Sequence, residues 1–128
     1  MIAALALASM LSLGGMQEAS PARLAEIWRS YWYAEYHANG GYICNQRQQR
    51  WITRRFQERF GRRVATLKTV ARQRLEKPAF EADFPVITSC AKAGPDASLP
   101  AWVRTNFKTY ETELAAAERA FGISQGAH

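Results

Sequence analysis

Two histidines, two cysteines and no long apolar run leave few chemistries open to this chain. No HExxH, GxSxG, P-loop or dinucleotide fingerprint occurs, so the residues offer no frame for metal-assisted hydrolysis, acyl transfer, nucleotide binding or hydride transfer. No CxxC and no His/Cys cluster with zinc spacing is present. No segment reaches the roughly 20 apolar residues that a bilayer crossing needs. Period-2 alternation, internal repeats and low-complexity tracts are absent as well. His37 falls near the end of a predicted helix, where the helix dipole favours a cation, and His128 is terminal. Glu35 and His37 are two apart and share no helical face, so they make no acid–base pair. The chain reads as a protein that binds rather than catalyses, with no cofactor implied.

What the sequence has in quantity is arginine, and in one place. Residues 44–77 carry 11 of the 17 Lys/Arg and only Glu58 and Glu76 as acids, a net of +9, whereas the chain before nets −1 and the chain after −2. Local excess points to a binding surface more strongly than a high overall pI does. Within residues 44–63, CNQRQQRWITRRFQERFGRR, seven arginines meet a single glutamate.

The first fourteen residues, MIAALALASMLSLG, carry no charge and resemble the apolar part of a secretory signal peptide, although no Lys or Arg precedes them. The sequence therefore divides into an apolar segment or signal peptide over 1–15, one helical domain over 16–122 and a frayed tail over 123–128. Cys44 and Cys90, 46 positions apart in a chain that looks exported, are expected to form one disulfide. Closing that loop stabilises the fold by about 4 kcal/mol on the chain-entropy model. A periplasmic or secreted location follows from the two features together, with a cytoplasmic protein carrying two free thiols as the alternative.

Helical periodicity runs throughout. Ser20-Pro21 is a helix start, with Leu24, Ile27, Trp28 and Tyr31 forming a stripe and Asn39-Gly40-Gly41 a stop. A second helix is expected from near Tyr42, with Ile52, Phe56, Phe60, Val64, Leu67 and Leu75 inward, Gly61 as a kink and Pro78 as the end. The segment PVITSCAK reads as a short helix opening at Pro85. Val103, Phe107, Tyr110, Leu114, Ala117 and Phe121 step by four and three to Gly122. The fold class is all-α, a small bundle of three to four main helices with one disulfide.

Projected at about 100° per residue, Ile52, Phe56 and Phe60 share one arc, and Arg47, Arg50, Arg54, Arg55, Arg59 and Arg62 spread across the opposite half. Cys44 and Trp51, seven apart, lie on the arginine side. If Cys44 bonds Cys90, residues 79–90 are strapped over that side, with Trp51 beneath and Glu81 or Asp83 beside Arg47 or Arg55. Arg50, Arg54, Arg59, Arg62 and Arg63 then remain for an anionic partner, since arginine's planar fork suits phosphate and carboxylate. In an envelope compartment that partner is anionic lipid, lipopolysaccharide or an acidic protein. In the cytosol it is nucleic acid, although no helix-turn-helix, zinc finger or RNA-binding signature is present. A weaker alternative makes Cys44, its pKa lowered by the surrounding arginines, the centre of a redox enzyme. Trp32, Tyr33 and Tyr36 lie partly outside the inward stripe, and either pack on Phe107, Tyr110 and Phe121 or serve as a homodimer patch.

Overall fold

The computed structural model describes residues 19–82 and 89–124; the apolar start, Asp83, Pro85 and the last four residues lie outside the described part. Four α-helices follow in order: α1 (Pro21–Ala38), α2 (Gln46–Arg74), the single turn α3 (Lys77–Phe80) and α4 (Leu99–Ala120), the last entered through a 3-10 turn at Asp96–Ser98. Ser20 caps α1 by accepting from the Arg23 amide, with proline at the first turn. Gly40 ends that helix in the left-handed region (φ +82°), and a Cβ there would also meet Ile52 Cγ2 at 2.9 Å. At the other end of the chain Ile123 N–H reaches Glu118 O and Gly122 N–H reaches Arg119 O, the paired bonds of a Schellman stop.

Helix α2 differs from expectation at three points. It starts at Gln46, because the Asn45 side chain accepts from the Gln48 amide and fixes the first turn there. It runs unbroken through Gly61 for 29 residues, about 44 Å at 1.5 Å per residue. It stops at Arg74, three residues before Lys77-Pro78 open the next turn. Nor is PVITSCAK helical where it is described: Ala91 lies in a parallel bridge with Ile43, exchanging bonds with Cys44 N–H and Tyr42 O.

The three long helices meet in one aromatic core. Phe56 and Phe60 from α2 interlock with Phe107 and Tyr110 from α4 at ring distances of 4.8–5.9 Å. Helix α1 adds Leu24, Trp28 and Tyr31, all buried. Its partners run in reverse order along α4: Trp28 meets Phe121, Tyr31 meets Tyr110, and His37 meets Asn106. Helices α1 and α4 are therefore antiparallel. Along α2, in contrast, Phe56 meets Phe107, Arg63 meets Glu118 and Arg74 meets Phe121 O, so α2 and α4 run parallel. A parallel pair obliges the chain to return the length of the bundle between them. Its landing is pinned by the Cys44–Cys90 disulfide (S–S 2.02 Å), the Ile43–Ala91 bridge, and Gln48 Nε2 donating to Gly94 O and Asp96 Oδ1.

Candidate anion-binding face

The arginines of α2 fall into two groups once their partners are known. Arg63 turns inward: Nε and Nη2 donate to both oxygens of Glu118 at 3.1 and 2.7 Å, and Nη1 reaches Glu111 at 3.3 Å. Glu118 is fully buried (0% exposed) and Arg63 is 19% exposed, so this is a desolvated, forked pair. The Glu118 carboxylate holds the Arg63 guanidinium charged well above its ordinary pKa. Arg59 bonds Glu111 at 2.8 Å with its guanidinium over the Phe60 ring. Arg59 and Arg63, expected to be available, are thus held by α4. The missed signal lies at Glu111 and Glu118, seven apart beside the α4 stripe and so on one face, as a register partner for cations on α2.

Arg47 is also engaged, though with a different acid from the one expected. Its Nη2 lies 2.9 Å from both oxygens of Asp96, and Gln48 supplies a further bond, which together hold the Asp96 carboxyl below its usual pKa. Glu81 makes no ion pair with Arg47 or Arg55 among the described residues. The return of the chain brings Asp96 down beside the first turn of α2. Polar residues between the arginines have equally structural work: Thr53 Oγ1 donates to Asn39 O, and Gln49 Nε2 to Gly41 O.

What remains is a narrower cationic surface. Arg50, Arg54 and Arg62 are exposed and make no ion pair among the described residues. They spread over about 120° of the outward side of α2, at spacings of four and eight residues, about 6 and 12 Å along the axis. Glu58 sits midway between Arg54 and Arg62 and bridges neither within 4.0 Å. Trp51 is half-buried against the core, and Arg55 lies 3.8 Å over its ring. The expected strap over Trp51 is replaced, among described residues, by that guanidinium; Phe80 docks instead near the far end of α2, stacked on Trp28 at 5.2 Å and beneath Arg72.

The other candidate groups resolve without a reactive centre. Both sulfurs are committed to the disulfide, which leaves Cys44 no thiol to act as a nucleophile in this form. Among the described residues no group of three or more His, Cys, Asp or Glu has metal-holding geometry. No described helix is long and apolar enough to cross a membrane. Trp32 and Tyr36 stack at 5.5 Å, Tyr33 meets Trp32 edge-on, and Tyr36 reaches Tyr42; all are half-buried, and it is Trp28 and Tyr31, rather than these three, that touch the α4 rings. A buried polar thread, Tyr110 hydroxyl to Tyr31 hydroxyl (2.7 Å) to Glu35 (2.8 Å) to Lys68 (3.2 Å), links all three long helices. Since Tyr31 gives its proton to Glu35, Tyr110 donates to Tyr31, and burial keeps both phenols neutral far into the alkaline range. Comparison with protein-family models, curated proteins and solved structures finds no match.

Proposed function

We propose that this is a small exported helical protein, periplasmic or secreted, whose α2 face binds an anionic component of the cell envelope, either phospholipid headgroups or lipopolysaccharide phosphates. The observation that carries the reading is the sorting of the arginines. Arg47, Arg59 and Arg63 find carboxylates within the fold, while Arg50, Arg54 and Arg62 stay outward on α2 with no ion pair among the described residues. Like charges a turn apart on a helix repel, each pair costing a few tenths of a kcal/mol, and an external anion relieves that cost. An exposed disulfide at the end of the same helix agrees with an oxidising compartment.

Magnitudes set the character of the contact. Each cation near an anionic surface contributes about 1 kcal/mol, so three give about 3 kcal/mol: a reversible, salt-sensitive attachment. The apolar face of α2 is spent on the core, so α2 itself does not insert. Flotation with vesicles of phosphatidylcholine and phosphatidylglycerol tests this. The protein should float at about 20 mM salt and release near 500 mM, where screening is about 4 Å. Cell fractionation should find it in the envelope with its cysteines oxidised. A cytoplasmic protein with reduced cysteines that co-purifies with nucleic acid would contradict the reading.

A further inference from the structure

Arg55 is the one arginine of this face whose role is neither an ion pair nor an open position. Its guanidinium carbon lies 3.8 Å over the centre of the Trp51 ring, and no carboxylate pairs with it among the described residues. Stacking engages the face of a guanidinium and leaves its N–H donors in the plane, at the edges. Such a group is immobilised before any ligand arrives, so little rotamer entropy is lost when it is bonded. Around Trp51 the nearest helical neighbours are Arg47, Arg54 and Arg55 at i−4, i+3 and i+4, with Arg50 adjacent in sequence. Arg47 is bonded to Asp96; Arg50, Arg54 and Arg55 make no ion pair among the described residues.

We propose that the Trp51–Arg55 stack, with Arg54 and Arg50 beside it, forms a discrete subsite for the phosphate of an anionic phospholipid headgroup. This rests on the envelope-binding reading above and deepens it, since it places one fixed contact within an otherwise diffuse field. A tetrahedral phosphate offers several oxygens to converging forks, which a single exposed arginine cannot exploit. Charge complementarity supplies the attraction, and the amphipathic indole at the centre of the cluster belongs at headgroup depth. Nucleic acid fits less well: the body of the indole packs on the core and its open face is covered by Arg55, so Trp51 has no face free for a base. Glu58, one turn beyond Arg54 and three residues beyond Arg55, marks where the subsite ends.

The test is quantitative flotation of the full chain on phosphatidylcholine vesicles with and without phosphatidylglycerol. Arg55→Lys keeps the charge and loses the planar fork and most of its stacking, and should weaken binding about three- to fivefold. Arg62→Lys, the same exchange elsewhere on the face, should change it less than about twofold. Trp51→Leu, with circular dichroism confirming the helices, should weaken it as Arg55→Lys does. Soluble glycerol phosphate should compete only at high millimolar concentration, because it lacks the neighbouring headgroups. Equal effects of Arg55→Lys and Arg62→Lys would overturn the subsite while leaving the basic face standing. Full displacement by submillimolar glycerol phosphate, or tighter binding to a short single-stranded oligonucleotide than to vesicles, would overturn it also. Absence of any binding to anionic vesicles would remove the subsite and the envelope reading together.

Discussion

At the scale of single residues, charge alone does not say what an arginine is for. Arg59 and Arg63 stand four apart on α2 and share Glu111, yet they differ in consequence. The Arg59 pair is about half-exposed on both sides and contributes at most a few tenths of a kcal/mol to about 1 kcal/mol. Arg63 and Glu118 are a different matter, because the carboxylate is fully buried and the guanidinium largely so. Glu118→Gln should destabilise the protein by about 3 kcal/mol in urea unfolding, since it leaves a largely buried guanidinium with only the longer, half-exposed bridge to Glu111. Arg63→Met with Glu118→Leu should recover most of that loss, as apolar replacement of both partners removes the orphan. A single variant as stable as the parent would show that water reaches the pair. A helical projection at about 100° per residue sets Arg63 inside the arc of Ile52, Phe56 and Phe60, so its inward position was legible; reading it by residue type hid that, and the facing Glu118 is what makes the position tenable.

For the elements, the end of α2 is where prediction and structure part most instructively. Periodicity located Ile52, Phe56 and Phe60 correctly on the inward side, because an apolar stripe has only one stable orientation in a bundle. The start was misplaced by four residues, although Asn45 followed three later by Gln48 is a legible cap. Gln48 then does not reach back to the cap amide. It is nearly buried and holds Gly94 O and Asp96, a tertiary contact that no local pattern encodes. Asp96 is consequently a clamp between the connection and α2. Its lowered pKa means that its contribution is present above the ordinary carboxyl value of 3.8 and is lost as pH falls through the lower folded value. Asp96→Asn should therefore flatten the acid limb of the melting temperature between about pH 4 and pH 2 while lowering the neutral plateau slightly. An unchanged acid limb would place that proton uptake elsewhere.

For the whole molecule, the helical class, the disulfide and the last helix with its Gly122 stop could be read from spacing alone, because each rests on a local rule. Topology could not. The parallel pairing of α2 with α4 is set by which rings interlock across the core, Phe56 and Phe60 with Phe107 and Tyr110, and this pairing is what requires a long return between Arg74 and Leu99. The disulfide makes physical sense in that light: it fixes the landing of a connection whose closure is entropically costly. It also fixes where the described ends of that connection lie. The chain is tied down at the first turn of α2, through Cys90, Ala91 and Asp96, while Phe80 anchors the opposite end on Trp28. Arg50, Arg54 and Arg62 are exposed on α2 between those two anchors.

On the proposed reading one basic helix divides into arginines that hold the fold and arginines left for a partner, and a single comparison tests the division. Flotation on phosphatidylglycerol-containing vesicles at low salt should be lost for Arg50→Gln/Arg54→Gln/Arg62→Gln, about a hundredfold weaker from the removal of three surface cations. The same measurement on Arg59→Gln, whose cation is paired with Glu111, should stay within about threefold of the parent. Loss of binding in Arg59→Gln with full binding retained by the triple variant would contradict the division outright.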